Sequence, residues 1–349
     1  MKKNSQSFAI FCIIVGSIIA TGITPALANT QLKEKVTKET NETNEKHYNQ
    51  LSSLNISKDF KRYFLDEYGF TEQDLRTQES LQELNIQSTN LSSEITKQLV
   101  YEKVLNTMDY YQTVHGKYQR DEYSINNHYT VEYAVDKTDG LMATEQMLCN
   151  GNADISYFSG TNCSRFIVKD FQNLDITRDT DRIQLIHQTY FDPVESEKYD
   201  FVPMIKAQSR VQYGEDGIGR YFYRTAFPGV LYGRESIDPQ EMGIGYLEDF
   251  NCWNIDSIQQ IAERDCWKVT GTLSGDYAQK LKAYTYEMYV DCETGFVLEY
   301  SNYDKDGTLS DHLTTLEIEV DKPIADEVFD RIGKQYVTAY NQLYNLPTA

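Results

Sequence analysis

A two-residue alternation of side-chain character in the last third of the chain constrains its fold most strongly. Between Tyr284 and Val290 every second side chain is large and mostly apolar. Successive side chains of a β-strand point to opposite faces of a sheet, so this period predicts a strand with one buried face. Residues 129–135 repeat the pattern, and glycine-containing turns at 293–295 and 304–307 separate further strands. The sequence therefore predicts a long antiparallel meander.

Segments with helical spacing are predicted to cover this sheet. Apolar residues recur at helical intervals in 95–111, and 240–250 have the pattern of a second, short helix. A meander that is apolar on one face must have that face covered, so we expect both helices to lie on it. A last helix is predicted from Gly333 to Tyr344, whereas 181–190 are predicted to form a helix or an irregular insert. The last helix is expected to bury Tyr336, Val337, Tyr340 and Leu343. The predicted fold class is mainly β (α+β).

The N-terminus has the three parts of a signal peptide. Lys2 and Lys3 form a short basic region, an apolar run covers 8–20, and Ala28 ends an Ala-x-Ala site. This order predicts export, cleavage after Ala28 and a secreted or extracytoplasmic location. An uncleaved anchor is the alternative, but the run is shorter than the roughly 20 residues that span a bilayer. The segment before Cys12 lacks the small residues of a lipidation site, and no later segment is apolar enough to span a membrane.

Composition divides the chain after the signal segment at 1–28. Residues 29–53 are polar and charged, which indicates a flexible leader. Residues 54–90 contain short capped helical patterns and are predicted to form a small helical pre-region. The main domain is predicted to span 91–330, and 331–349 are predicted to hold the last helix and a tail.

Acidic residues outnumber basic residues by a wide margin. The chain has 53 Asp and Glu against 33 Lys and Arg, which gives a formal net charge of −20. A phosphate backbone must be met by clustered Lys and Arg, so this balance argues against nucleic acid as a partner. It also argues against electrostatic docking on anionic lipid.

Five cysteines remain once Cys12 leaves with the signal peptide. They are Cys149, Cys163, Cys252, Cys266 and Cys292. An odd number leaves at least one thiol free or paired between chains. The candidate disulfides are Cys149–Cys163 and either Cys252–Cys266 or Cys266–Cys292, and the short loop slightly favours Cys252–Cys266. The alternative is that all five are small buried hydrophobic residues.

No motif in the sequence specifies a catalytic centre, a metal site or a cofactor. The five histidines lack metal-ligand spacing. Gly214–Gly219 lack the Lys-Ser/Thr of a phosphate loop, and the segment from Asp304 lacks the glutamate that closes a calcium loop. Ser274 is one residue away from the spacing of a serine-hydrolase elbow. We therefore expect no enzyme activity, no metal and no cofactor.

The C-terminal part resembles a known family of exported proteins. The matching features are the strand Cys266–Gly271, the strand–turn–strand run Tyr286–Leu298, the hairpin Tyr303–Gly307 and the closing segment Ile324–Phe329. Together with the helix at 99–105, they resemble the lipoprotein-carrier superfamily, typified by LolA and by RseB/MucB. The resemblance implies an unclosed β-barrel, a strongly curved antiparallel sheet with helices covering its concave face. It also implies that the concave cavity holds or senses acyl chains.

The patterns and the resemblance together predict a secreted, non-enzymatic binding protein that holds an apolar ligand in a half-open β-barrel. The ligand would be a lipid or a lipoprotein acyl chain. One alternative is an envelope sensor or scaffold of the same fold that binds a partner protein, and another is an extracellular hydrolase. The side chains predicted to line the cavity are Leu99, Leu105, Val131, Tyr133, Tyr286, Met288, Leu316 and Ile318.

Overall fold

The structure is a computed structural model that describes residues 62, 64–76, 91, 93–138, 141–160, 162–190, 204–215, 219–224 and 232–344. The predicted signal peptide and leader lie outside these residues. So do most of the predicted pre-region and the end of the predicted tail.

The largest feature of the described chain is one antiparallel sheet of eleven strands. The described chain has fifteen strands in all: β1 (Leu75–Arg76), β2 (Thr113–Glu122), β3 (Asn127–Asp136), β4 (Met142–Cys149), β5 (Asn152–Ser159), β6 (Asn162–Val168), β7 (Ile183–Tyr190), β8 (Met204–Ile205), β9 (Val211–Tyr213), β10 (Gly219–Tyr221), β11 (Trp253–Ile261), β12 (Arg264–Thr272), β13 (Thr285–Asp291), β14 (Val297–Tyr303) and β15 (Leu309–Val320). Outside the large sheet, β1 pairs with β8 and β9 pairs with β10. The order across the large sheet is β11-β12-β13-β14-β15-β2-β3-β4-β5-β6-β7. The edge strands β11 and β7 do not pair with each other in this sheet, so the curved sheet stays unclosed, as predicted.

Three of the helices below correspond to predicted segments, whereas Gly275–Leu281 and Asp326–Phe329 are helices that the sequence did not indicate. The helices are α1 (Glu94–Leu105), α2 (Gln240–Leu247), α3 (Gly275–Leu281), α4 (Asp326–Phe329) and α5 (Gln335–Leu343), and a π-helical turn (Asp330–Lys334) joins α4 to α5. Ser93 caps α1, because its Oγ accepts a hydrogen bond from Thr96 N at 3.1 Å. The predicted helices at 95–111 and 240–250 are confirmed, although α1 ends before Asn106.

Residues 183–190 form a strand, so the predicted helix or insert at 181–190 is wrong. They are the edge strand β7, which pairs with β6 on one side. A strand at the edge of a sheet meets fewer neighbours, so its sequence needs less regular apolar alternation than that of a central strand. The weak alternation in this segment explains why the sequence favours a different element.

The sheet has an inner face, which we define as the face under α1 and α2, and an outer face opposite to it. The inner face carries the main hydrophobic core, where Leu105 of α1 and Ile244 of α2 pack with sheet residues such as Met288. Directly paired residues on neighbouring strands share a face, so the pair Phe158 and Cys163 also lies in this core. The predicted covering of one sheet face by these two helices is confirmed.

The outer face of the strands from β3 to β6 is buried as well. Ile155 of β5 pairs with Phe166 of β6, and both pack in a second core with Phe329 and Tyr336 from the C-terminal helices. These strands are therefore covered on both faces. The C-terminal helices therefore pack on the outer face of the sheet and form a core with it.

The predicted helix from Gly333 to Tyr344 is instead the end of three consecutive helical segments, from α4 through the π-turn to α5. Its predicted burial of Leu343 is wrong, because that side chain is 45% exposed. Within α5 the buried face runs through Tyr336, Val337 and Asn341, and Leu343 is the last residue of the helix, beyond that face.

The turn between β13 and β14 lies tightly against α1. Gly295 has a φ of +80°, and a Cβ at this position would lie 2.5 Å from the carbonyl carbon of Lys103. Glycine alone tolerates both this backbone conformation and this approach without strain. Lys103 Nζ donates hydrogen bonds to the carbonyl oxygens of Cys292 at 3.0 Å and Glu293 at 2.8 Å. These contacts fix α1 on the sheet.

The second core is expected to contribute strongly to stability. Phe329→Ala removes a side chain that is 1% exposed and should lower the free energy of unfolding by about 3–5 kcal/mol. Leu343→Ala, on the exposed side of α5, should change it by less than about 0.5 kcal/mol. Urea unfolding of both variants measures the difference, and equal effects would contradict a structural role for the outer core.

Candidate ligand-binding face

The inner face is apolar where α1 and α2 lie on the strands from β11 to β14, and we call this region the apolar half. Trp253, Val269 and Met288 come from three neighbouring strands and pack in one core with Leu99 and Leu105 of α1. All five side chains are buried. The sheet thus presents a continuous apolar surface to the two helices.

The helices α1 and α2 form the cover of the apolar half. Gly243 of α2 lets the helices approach each other, because a Cβ there would lie 2.7 Å from Cδ2 of Leu105. Tyr286 Oη donates a hydrogen bond to Tyr246 O at 2.8 Å and ties α2 to β13. Buried Arg210 donates to Leu105 O at 2.8 Å, which satisfies a carbonyl at the end of α1. Hydrogen bonds at a few points and apolar packing between them hold the cover in place.

Six of the eight predicted lining residues lie together in the inner core. They are Leu99, Leu105, Val131, Tyr133, Tyr286 and Met288. Ile318 is partly buried and packs against the same core, whereas Leu316 is 52% exposed. The register of β15 on β2 shifts between Thr315 and Glu317, so Leu316 is the extra residue of a β-bulge and turns outward. The prediction that Leu316 lines the inner face is therefore wrong, and a ligand-lining role for the other seven stays a prediction.

The inner face is polar where β14, β15, β2, β3 and β4 lie side by side, and we call this region the polar half. Arg120 of β2 forms a bidentate ion pair with Asp311 of β15 through bonds of 3.1 and 3.0 Å. Arg120 also lies 3.3 Å from Glu235 Oε1, and Tyr118 Oη donates a hydrogen bond to the same carboxylate. Tyr300 Oη donates to Asp311 at 3.0 Å. Polar contacts therefore join the segment around residue 235 to the sheet.

Glu145 of β4 is a second carboxyl group in the polar half. Its burial, followed by the nearby charge of Glu235, raises the pKa of Glu145 to about 8. Gly233 N donates a hydrogen bond to Glu145 Oε2 at 2.6 Å, which favours the charged form but does not offset the burial. At neutral pH Glu145 is therefore mostly protonated, and Arg120 faces the charges of Glu235 and Asp311.

No sequence pattern singled out these polar residues, although one signal was present. One face of β2 carries Val114, Tyr118 and Arg120, which are separated by even numbers of residues. Val114 and Tyr118 lie in the inner core. A charged side chain that continues an inward-facing apolar series must be paired if the strand is central in a sheet. The signal could indicate a buried ion pair at Arg120, but it could not identify Asp311, which is distant in sequence.

Glu145→Gln is expected to reduce the pH dependence of stability. The pKa of Glu145 is raised in the folded state, so between about pH 5 and 8 the folded chain holds a proton that the unfolded chain releases. Stability therefore falls as the pH rises through this window, and the variant should lack about 3–4 kcal/mol of that fall. Urea unfolding at both ends of the window tests this against Glu293→Gln, a change at an 81% exposed carboxylate. Parallel pH profiles for the wild type and Glu145→Gln would contradict the shifted pKa.

The strand register separates the cysteines of the first predicted disulfide. Cys149 lies opposite Asn152, and Cys163 lies opposite Phe158, at the other end of β5. At about 3.3 Å per residue the two cysteines are about 20 Å apart along the strands. The Cα atoms of a disulfide lie within about 7 Å of each other. Cys149–Cys163 is therefore wrong for this fold.

The same argument excludes the preferred Cys252–Cys266 pair. Thr272 N donates to Cys252 O at 2.9 Å, which places Cys252 beside one end of β12 while Cys266 lies about 20 Å away towards the other end. Cys266 pairs instead with Asp291, the residue before Cys292. All five cysteines of the described chain are unbridged, so the structure does not contain the Cys266–Cys292 disulfide. That pairing stays a prediction.

Among the described residues, no three or more His, Cys, Asp or Glu side chains are arranged to hold a metal ion. No helix in this part of the chain is both long enough and apolar enough to cross a bilayer.

Comparisons with known proteins find likeness among solved structures. No family model matches the sequence, and no curated protein matches it. MucB in the MucA/MucB complex of Pseudomonas aeruginosa is 11% identical, with a TM-score of 0.35, over 66% of this chain and 60% of that chain. The match thus spans less than two thirds of the length of MucB.

Two further solved structures are similar over most of their length. LprF from Mycobacterium bovis is 12% identical, with a TM-score of 0.34, over 67% of this chain and 97% of that chain. A putative outer membrane lipoprotein-sorting protein domain from Vibrio parahaemolyticus is 7% identical, with a TM-score of 0.23, over 66% and 96% of the two chains.

Proposed function

We propose that this chain is an extracytoplasmic, non-enzymatic binding protein that holds an apolar ligand, such as a lipid or a lipoprotein acyl chain. The ligand would lie between the apolar half of the sheet and the cover. The nature of the cover supports this most directly, because α1 and α2 are two short helices that pack on the sheet without pairing with any strand. Movement of the cover would break the hydrogen bonds of Lys103, Tyr286 and Arg210 but no strand pair, and it would expose an apolar surface.

Burial of the ligand would supply the affinity. Removing about 300 Å² of acyl surface from water contributes roughly 7 kcal/mol before the costs of ordering. Leu105 and Met288 already pack in the inner core, so a ligand must replace contacts between the cover and the sheet. We therefore expect a net affinity well below the value from area alone, with dissociation constants in the micromolar range.

A dansyl-labelled fatty acid is expected to bind the delipidated full chain saturably at micromolar concentration. Trp253 and Trp267 lie in the inner core, so a bound probe should quench tryptophan emission by energy transfer. Met288→Gln places an amide in the apolar half without a designed partner and should weaken binding about tenfold or more. Leu316→Gln makes the same kind of change at an exposed position and should leave the affinity unchanged.

Two outcomes of this titration contradict the proposal: no saturable binding by the wild type, or equal losses for Met288→Gln and Leu316→Gln. Thermal unfolding of each variant separates a damaged fold from a damaged site. If Met288→Gln unfolds, Val269→Ala provides a milder change on the neighbouring strand β12.

The second candidate is a sensor or scaffold that binds a partner protein and carries no lipid. The observation that favours it is how completely the chain's own side chains fill the inner face, where Leu105, Tyr133 and Met288 are fully buried. The edge strand β11 has one strand neighbour in the described sheet, so its other side presents unpaired backbone groups. Ile258 on this edge strand is 50% exposed. A partner could add a strand here.

Lipid extraction combined with partner capture distinguishes the two candidates. The second candidate predicts no stoichiometric lipid in protein purified from its native envelope. It also predicts a captured partner that Ile258→Asp loses and Ile125→Asp retains, since Ile125 is exposed but lies away from β11. Stoichiometric lipid that competes with the dansyl probe supports the first candidate instead.

A further inference from the structure

A short segment at residues 232–238 crosses the inner face of the sheet, and we call it the strap. Its residues meet the strands in the order in which those strands lie in the sheet. From one end to the other, the contacts are Tyr232 beside Cys163 of β6, Gly233 with Glu145 of β4, Glu235 with Tyr118 of β2, and Ser236 with Val297 of β14. The strap thus lies over the polar half and reaches β14, the strand that both halves share.

The strap fits closely against the sheet and continues directly into the cover. Gly233 has a φ of +57°, and a Cβ there would lie 3.2 Å from Cδ1 of Tyr133 and 2.7 Å from Cγ1 of Ile237. Ile237 is 1% exposed and packs in the inner core. Pro239, directly after the strap, is the N-cap of α2. A movement of α2 away from the sheet would therefore pull on the strap.

The strap covers Glu145 and places a second carboxylate near it. Gly233 N donates to Glu145 Oε2 at 2.6 Å, so the strap backbone lies directly against this carboxyl group. Burial is the first cause that raises the pKa of Glu145 to about 8, and the charge of Glu235 is the second. Glu235 belongs to the strap, and so does the backbone that contacts Glu145. Removing the strap would therefore reduce both causes and return the pKa of Glu145 towards its ordinary value of 4.5.

The other groups that face Glu145 in the described chain do not stabilise its charge enough to prevent this shift. They are Asp154 of β5, Arg165 of β6, Tyr118 of β2, Tyr133 of β3 and Tyr232 of the strap. Arg165 favours the charged form, but it forms a bidentate ion pair with Asp154, with Nε 2.9 Å from Oδ1. The three phenols stay protonated because burial raises their pKa. Ionised Glu145 is thus poorly compensated while the strap is in place.

We propose that the strap is a proton-coupled closure of the inner face. It lies on the sheet while Glu145 carries a proton, and it leaves the sheet when Glu145 ionises in contact with water. Closing takes up about one proton near neutral pH, and opening releases it. The coupling of the strap to the proton needs no ligand. Its coupling to an apolar ligand rests on the proposed function, because a ligand under the cover would displace α2 and with it the strap.

The direction of the pH effect follows from the two states of Glu145. The closed strap holds the proton up to about pH 8, whereas the open strap gives it up above about pH 4.5. The equilibrium constant for opening should therefore rise about tenfold per pH unit between these values and level off above about pH 8. Burial also raises the pKa of Asp238, at the end of the strap, to about 6, so Asp238 is mostly ionised above this pH. The window from about pH 6.5 to 8 therefore isolates Glu145.

Hydrogen exchange of the full mature chain, followed by mass spectrometry, measures this opening directly. After correction for the intrinsic exchange rate, opening of the strap should increase about fifteenfold from pH 6.5 to pH 8. The strap should also open at least about tenfold more readily than β13, which reports global unfolding. No increase in the strap overturns the proposal. Equal opening constants for the strap and β13 also overturn it, because Glu145 would then be exposed only by global unfolding.

Glu145→Gln and Glu299→Gln form a matched pair of variants. Glu145→Gln removes the titrating group and keeps its shape, so opening of the strap should lose its pH dependence. Glu299 of β14 is also a carboxyl group whose burial raises its pKa, but it directly precedes the inner-core residue Tyr300 and so points to the outer face. Glu299→Gln should leave the pH dependence of the strap unchanged. Equal effects of the two variants, or a pH dependence that persists in Glu145→Gln, overturn the assignment to Glu145.

Titration with N-phenyl-1-naphthylamine, an apolar fluorescent probe that stays uncharged in this window, tests the coupling to a ligand. Its dissociation constant should fall about fifteenfold from pH 6.5 to pH 8 with the wild type and stay constant with Glu145→Gln. Saturable binding without this pH dependence overturns the coupling to the ligand and leaves the proposed function intact. No saturable binding contradicts the proposed function, and the exchange experiment then decides the proton coupling by itself.

Gly233→Ala shifts the strap in the opposite direction. The added Cβ meets Ile237 and Tyr133 and requires a left-handed backbone, so opening should increase about tenfold at pH 6.5. The affinity for the probe should rise by a similar factor. Faster opening without a gain in affinity would show that the ligand does not displace the strap, and this result overturns the coupling to the ligand.

Discussion

The pairing of β15 with β2 makes one sheet out of two meanders, and the rest of the structure depends on it. β15 pairs with β14 through its first part and with β2 along most of its length. Asp321, directly after β15, accepts a hydrogen bond from Gln112 N at 2.7 Å and another from Thr113 N at 3.3 Å, which secures the end of this pairing. Without this seam the strands from β11 to β14 and those from β2 to β7 would be separate sheets with no shared inner face.

The seam also explains why the inner face has two halves of different chemistry. Arg120 and Asp311 lie on the two strands of the seam and form a bidentate pair in a largely buried setting. A buried charge is tolerated only where a partner and further hydrogen bonds compensate for lost water, and Tyr300, Tyr129 and Glu235 supply those contacts. Away from the seam the same face is apolar and lies under helices. A ligand with an apolar chain would therefore find its complement under the cover rather than at the seam.

Helix α1 presents two differently occupied stripes. One stripe, which includes Leu99 and Leu105, packs into the inner core. Another stripe, which includes Glu94 and Gln98, lines a pocket on the other side of the helix from the sheet. A movement of the cover would move both stripes together, because they belong to one twelve-residue helix.

Local patterns in the sequence were sufficient to predict the main elements of the fold. Alternation around Met288 and turn residues such as Gly295 depend on the chain's immediate neighbours, and both correspond to the observed strands and turns. Sequence resemblance added the unclosed sheet and the helical cover. The burial of most predicted lining residues follows from the same alternation, because an apolar side chain on a covered face is buried whatever its exact partners are.

The sequence by itself thus determined most of the strands, the helices α1, α2 and α5, and the apolar character of the inner face. Only the tertiary structure decided the orientation of Leu316, because the bulge in β15 arises from its pairing with β2. It also decided that Cys149 and Cys163 lie far apart and that Arg120 pairs with Asp311. The physical reason is the same in each case. These features depend on the register and packing of segments distant in sequence, whereas the elements themselves arise from spacings of two to four residues.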